Sequence, residues 1–283
     1  MTKLLTLLLS LSLFTSALAQ VSLDASMTPA LGKIIFYDAN VPSPTFTFGK
    51  KGQSNTWDFT AISPLPTESD TIYIKDASDF PGLTDYIPSV THVFNEYGEP
   101  ENHFVQIDNK GVKSLGLIGD LYGTGQPLMA FAPKPLTTMQ FPYKYGSSNA
   151  SDNKGIVKIV ASGSAVGVPL ADSILFMRYI TNDRKVIAEG NMIIPSGTFA
   201  AILERSINTQ VDSAWFKSVA TGGNWAPAPG FPKTSIDSSF NWYTENSLYK
   251  YAHALYDNTG LHDVVFFKDR VVGAQEPVVE EES

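Results

Sequence analysis

Glu96, Glu99 and Glu101, with His103 close behind, form the densest group of proton-transfer side chains in the sequence. Two carboxylates facing one glycosidic bond would serve a glycosidase, one giving and one taking a proton. The group surrounds Tyr97-Gly98 and Pro100, which is loop composition, so the plain alternative is a turn with its charges in water. A serine hydrolase would need Ser, a base and an orienting acid. No Gly-x-Ser-x-Gly elbow occurs, and Ser162-Gly163-Ser164 reads as strand and turn. His92, His103, His253 and His262 lack the helical spacing of a metal pair, and His253 reads as a packed strand histidine. Gly119 to Gly125 is rich in glycine and Lys50-Lys51-Gly52-Gln53-Ser54 is basic. Neither has the Walker spacing or a helix behind it to cradle phosphate. No catalytic residue is assigned, and no cofactor or metal is expected.

Aromatic side chains offer binding instead. Trp225 lies in a Pro/Gly-rich loop, Thr221 to Pro232, where a displayed ring could stack on a sugar or mark another binding surface. The alternative is a loop anchor buried together with Phe231. Trp225 is the one candidate ligand contact, and a glycan or another cell-surface component the expected partner. Trp57, Trp215 and Trp242 sit in strand-like runs and belong in or beside the core.

Behind these residues lie short β-patterned runs with no long helical period. Strand candidates are Lys33–Tyr37, Thr45–Phe48, Thr56–Thr60, Thr71–Lys75, Phe104–Asp108, Gly111–Ile118, Ile156–Ala161, Ser173–Thr181, Lys185–Ile194, Leu248–Tyr256 and His262–Lys268. Asp108-Asn109-Lys110-Gly111, Asp152-Asn153-Lys154-Gly155 and Asp257-Asn258-Thr259-Gly260 share the form Asp-Asn-x-Gly. They read as hairpin loops of three residues closed by a Gly bulge, since a calcium loop would need further carboxylates. Thr181-Asn182-Asp183-Arg184 reads as another turn, and a short helical turn is expected near Thr198–Ala201. The predicted fold is all-β: antiparallel hairpins in packed sandwich-like sheets, as one large domain or two adjoining β domains. A polar stretch at 146–153 is the candidate seam, and 276–283 an acidic, disordered tail.

Hydrophobic residues make up 43% of the 283, enough for a sizeable core, and a formal charge of −8 with no basic block disfavours nucleic-acid binding. The absence of cysteine excludes disulfides, thiolate metal sites and thiol nucleophiles. Met1-Thr2-Lys3, an apolar run from Leu4 to Phe14 and Ala17-Leu18-Ala19 read as a secretory signal peptide, 1–19, cut after Ala19. The run is too short for an ordinary transmembrane helix, so no membrane span is expected. Residues 20–275 would then form the secreted body, in the periplasm, on the outer surface or outside the cell.

Several segments fall together: Trp57-Asp58-Phe59-Thr60, Pro64-Leu65-Pro66-Thr67, Phe141 to Gly146, Gly190 to Phe199 running into Ile202-Leu203-Glu204-Arg205, and Phe240-Asn241-Trp242-Tyr243. In these the chain resembles β-rich secreted proteins of Bacteroidota that carry a type A sorting domain for type IX secretion. The resemblance implies export and a β-rich body, and supplies no catalytic residues. The sorting domain itself is not visible before Ser283. Together these readings give a non-catalytic exported protein, a surface-associated binding or structural module. The rival is a secreted polysaccharide-acting hydrolase using Glu96, Glu99 or Glu101.

Overall fold

The computed structural model describes residues 20–38, 51–63, 70–96, 101–120, 125–149, 154–164, 168, 170–257 and 260–272, the side chains of 96, 257 and 260–263 excepted. The signal segment, the tail, Thr45–Phe48, Glu99 and the latter half of the seam lie outside the described residues. Among the described residues, no helix is long and apolar enough to cross a membrane.

The chain is all-β. In chain order the strands are β1 (Ser22–Leu23), β2 (Gly32–Asp38), β3 (Gly52–Asp58), β4 (Thr71–Asp76), β5 (His92–Glu96), β6 (Asn102–Asp108), β7 (Gly111–Gly119) and β8 (Leu128–Gln140). Then come β9 (Tyr143–Lys144), β10 (Lys154–Ala161), β11 (Ser173–Ile194), β12 (Gly197–Lys217), β13 (Trp225–Pro227), β14 (Lys233–Thr244), β15 (Ala252–Asp257) and β16 (Gly260–Val272). Along β2 every second residue from Gly32 to Phe36 is buried, the period-two signature of a strand with one face in a core.

The expected packed sheets take the form of one sheet closed on itself. Antiparallel neighbours run β12–β14–β15–β16–β2–β4–β5–β6–β7–β8–β10–β11, and β11 pairs back with β12, giving a barrel-like ring of twelve strands. β8 and β10 pair directly across the candidate seam. Among the described strands only β3 is parallel, lying along the second half of β11.

The spine is the β11–β12 hairpin, of 22 and 21 residues. At about 3.4 Å per residue each arm spans roughly 70 Å. The turn expected at Thr181–Arg184 does not exist, because those residues run straight through β11 opposite Thr209 to Ser206. Their polar side chains, which suggest a turn, bond across the sheet instead. The hairpin turns at Pro195-Ser196, between paired Ile194 and Gly197. The helical turn expected near Thr198–Ala201 is likewise strand, with Ala201 fully buried against the core. The loop at Asp108 holds two residues, not three, since Asp108 pairs with Gly111. Its carboxylate accepts the amides of Lys110 (2.7 Å) and Gly111 (3.2 Å), which fixes the turn without a bulge.

Two layers flank the hairpin's tip. A register shift between Val186 and Ala188 turns Ala188 and Met192 to the outside of the barrel. There β3 and the turn after it lay Trp57 and Phe59 over Trp242 and Phe266. Gly190 makes this possible, since a Cβ there would lie 2.1 Å from the Asn55 carbonyl oxygen. On the inside, β1 pairs with β9, and Leu23 and Tyr143 pack with Val186, Ile202, Tyr243 and Leu248. This cluster closes one end of the barrel as a floor.

Candidate functional site: the barrel lumen

Above that floor, neighbouring strands place hydrogen-bonding side chains in register. Asn182 faces Asn208 and Arg184 faces Ser206 across β11–β12. Ser206 faces Ser239, and Glu204 faces Asn241, across β12–β14. Asn241 in turn faces His253 across β14–β15. Directly opposed residues of an antiparallel pair point to the same face, here the lumen.

Glu204 is the hub of this wall. It is fully buried. It accepts hydrogen bonds from the Tyr143 hydroxyl (2.5 Å) and Asn241 Nδ2 (2.8 Å), and pairs with the Arg184 guanidinium at 3.4 Å. Arg184 Nε also donates to Asn182 Oδ1 (3.1 Å), which takes the Ser206 hydroxyl at 3.2 Å. A buried carboxylate is costly unless paired and bonded, and this one is both. Burial, and next the charge of Glu204, hold the Tyr143 phenol well above its usual value. The same two causes raise Tyr243, with Arg184 acting in the opposite direction. Burial works against the Arg184 cation, but Glu204 and the two tyrosines outweigh it, and its proton is held more tightly than usual.

The wall borders an open cavity of about 400 Å³. Asn182, Arg184, Ser206, Asn208, Ser239 and Asn241 line one side; Phe94, Val105, Val112 and Met139, with Ser114 and Thr138, line the other. Two side hollows adjoin it. One, about 250 Å³, lies by Phe36, Asp70, Lys250 and His253; the other, about 200 Å³, by Ile72, Phe94 and His103. Tyr249 borders all three, its ring edge-on to Phe94 at 5.6 Å. Exposed Asp237 and Leu255 mark the mouth. The main chamber is of a size that takes a small molecule.

The chain matches no family model, no curated protein and no solved structure. The chemistry of the lumen therefore carries the functional reading.

Of the sequence candidates, Glu96 ends β5 with its side chain outside the described atoms, and Glu99 lies outside the described residues. Glu101 Oε2 stands 3.6 Å from His103 Nε2, with the two side chains 34% and 49% exposed. Since His103 borders one side hollow, this pair sits at the rim of the lumen rather than inside it. Trp225 is 45% exposed and pairs with Lys217 at the sheet's edge, away from the cavity. It is not buried with Phe231, which packs edge-on against Phe176 at 6.3 Å, with the Lys233 ammonium over its ring. Phe231 is thus the loop's anchor. Trp225→Ala is expected to change unfolding free energy by less than about 0.5 kcal/mol, as surface substitutions do. A loss of several kcal/mol in urea titration would make Trp225 an anchor instead.

Sequence reasoning missed Asn182, Arg184, Glu204, Ser206, Asn208, Ser239 and Asn241. The available signal was period two: Glu204, Ser206 and Asn208 alternate with Leu203, Arg205 and Ile207. Which face of such a strand turns inward is decided only when the barrel closes.

His253 adds a pH dependence. Burial first, and then the charges of Lys250 and Arg184, push its imidazole well below the ordinary 6.5. The unfolded chain takes up that proton more readily than the folded one, so stability is full above about pH 6.5 and is lost as pH falls below it. Equilibrium unfolding from pH 7 to 5 should show a smaller loss in His253→Gln than in the unsubstituted protein. Parallel pH profiles would contradict this.

Proposed function

We propose that the protein is an exported, non-catalytic binding module of the cell surface that holds a small ligand in its barrel lumen. The observation that carries this reading is the 400 Å³ cavity, polar on one wall and apolar on the other. A purely structural barrel gains stability by filling its interior with apolar side chains. This one keeps Asn, Ser and Arg side chains around open space. Export rests on the signal-like first nineteen residues, and a relation to type IX cargo on the resemblance described above. The non-catalytic reading is supported by the commitment of the acid in the lumen wall: Glu204 is held by Tyr143, Asn241 and Arg184.

The test is a thermal-shift screen of the protein beginning at Gln20 against small sugars, amino acids and glycans, with hydrolysis read in the same wells. A ligand at a hundredfold its Kd stabilises the folded state by about 2.7 kcal/mol. The expected result is a rise in Tm with no turnover. Turnover of a polysaccharide would favour the rival hydrolase, and a flat screen would count against a binding role.

A further inference from the structure

We propose that the ligand is a neutral saccharide of one or two rings, with its hydroxyl edge on the β11–β12–β14 wall and a C–H face on the opposite side. This rests on the lumen being the binding site.

Charge is the first discriminator. Arg184 is neutralised by Glu204. Asp237 is exposed at the mouth, and Asp70 and Lys250 share the side hollow, so the remaining charges are of both signs. An ion of either sign would give up its hydration in a lumen whose guanidinium is already paired, so neutral ligands are favoured.

Polarity is the second. Asn182, Ser206, Asn208, Ser239 and Asn241 offer both donors and acceptors. A lipid-like ligand would desolvate these groups and give them no partner. Asn208 lines the cavity and makes no side-chain hydrogen bond to the described residues, which leaves its amide with bonding capacity to spare.

Shape is the third. Phe94 and Tyr249 meet at 81°, so they form no parallel slot for a flat heteroaromatic ring. Their faces, with Val105, Val112 and Met139, suit the aliphatic C–H face of a pyranose, whose hydroxyls project at its edge.

Isothermal titration of the protein beginning at Gln20 tests this with glucose, galactose, N-acetylglucosamine and their disaccharides. Galacturonate, glucosamine, uridine and decanoate serve as anionic, cationic, flat and apolar comparators. At least one neutral sugar should bind at least tenfold more tightly than every comparator. Asn208→Leu and, on the opposite wall, Ser114→Val should each weaken that sugar roughly tenfold, while Trp225→Ala should not. Neither Asn208 nor Ser114 makes a side-chain hydrogen bond to the described residues, and a variant counts only if its circular dichroism and Tm match the parent. If a comparator binds best and is lost in the lumen variants, the saccharide inference falls and the lumen reading stands. If a sugar binds but only Trp225→Ala weakens it, the lumen reading falls. No binding of any probe overturns both.

Discussion

Glu204→Ala is expected to lower the unfolding free energy by about 3–5 kcal/mol, the usual cost of removing one partner of a buried ion pair. The loss has two sources. Arg184, only 18% exposed along its side chain, is left without its counter-charge. The Tyr143 hydroxyl and the Asn241 amide lose their acceptor. Since a domain's whole stability is about 5–15 kcal/mol, the variant stands near the limit of folding. Removing both charges should be milder than the sum of the single changes, because Arg184→Met/Glu204→Gln leaves no orphaned ion. Urea titration of the parent, Glu204→Ala, Arg184→Met, Glu204→Gln and the double variant measures this. A Glu204→Ala loss under about 1 kcal/mol, or strict additivity in the double variant, would mean that Glu204 does not organise the wall.

The second large effect lies on the outer face of the neighbouring strand, β14. Trp242 is fully buried and sits edge-on to Phe59 at 5.2 Å and to Trp57 at 6.2 Å. Trp242→Ala should cost about 3–5 kcal/mol, the transfer term plus the cavity left behind. It should lower the urea midpoint with the m-value unchanged, since the same surface is exposed on unfolding. The contrast with Trp225→Ala, expected to be nearly neutral, separates core from surface tryptophans in one assay. Equal losses in the two variants would contradict the packing described.

Much of the β architecture was legible because alternation and Asp-Asn-x-Gly turns are local. Thr71–Lys75, Phe104–Asp108 and Ile156–Ala161 all fall within strands of the structure. What failed was long-range. Thr181-Asn182-Asp183-Arg184 has turn composition, yet it runs through a strand because Asn182 and Arg184 find partners on the neighbouring strand β12. Leu248 belongs to a strand-like run, yet it precedes β15 and packs into the floor, its amide donating to the Met27 carbonyl at 3.0 Å. The site was illegible for the same reason. Sequence search favours dense charge, and Glu101 with His103 supplies it at the rim. The lumen is instead built from single Asn and Ser residues, spaced two apart on strands that meet only when the ring closes.

A ligand held inside the barrel should shield the lumen wall from solvent reagents. A chain without cysteine allows a direct test, because one introduced thiol is the only one that reacts. Ser239→Cys places it on the lumen wall, and Ser196→Cys in the exposed hairpin turn serves as the control. The rate of iodoacetamide labelling is measured with and without a saturating amount of the compound that raises Tm most in the screen. Bound ligand should slow labelling at least tenfold at 239 and leave it unchanged at 196. Equal rates at 239 with and without bound ligand would contradict a ligand inside the barrel.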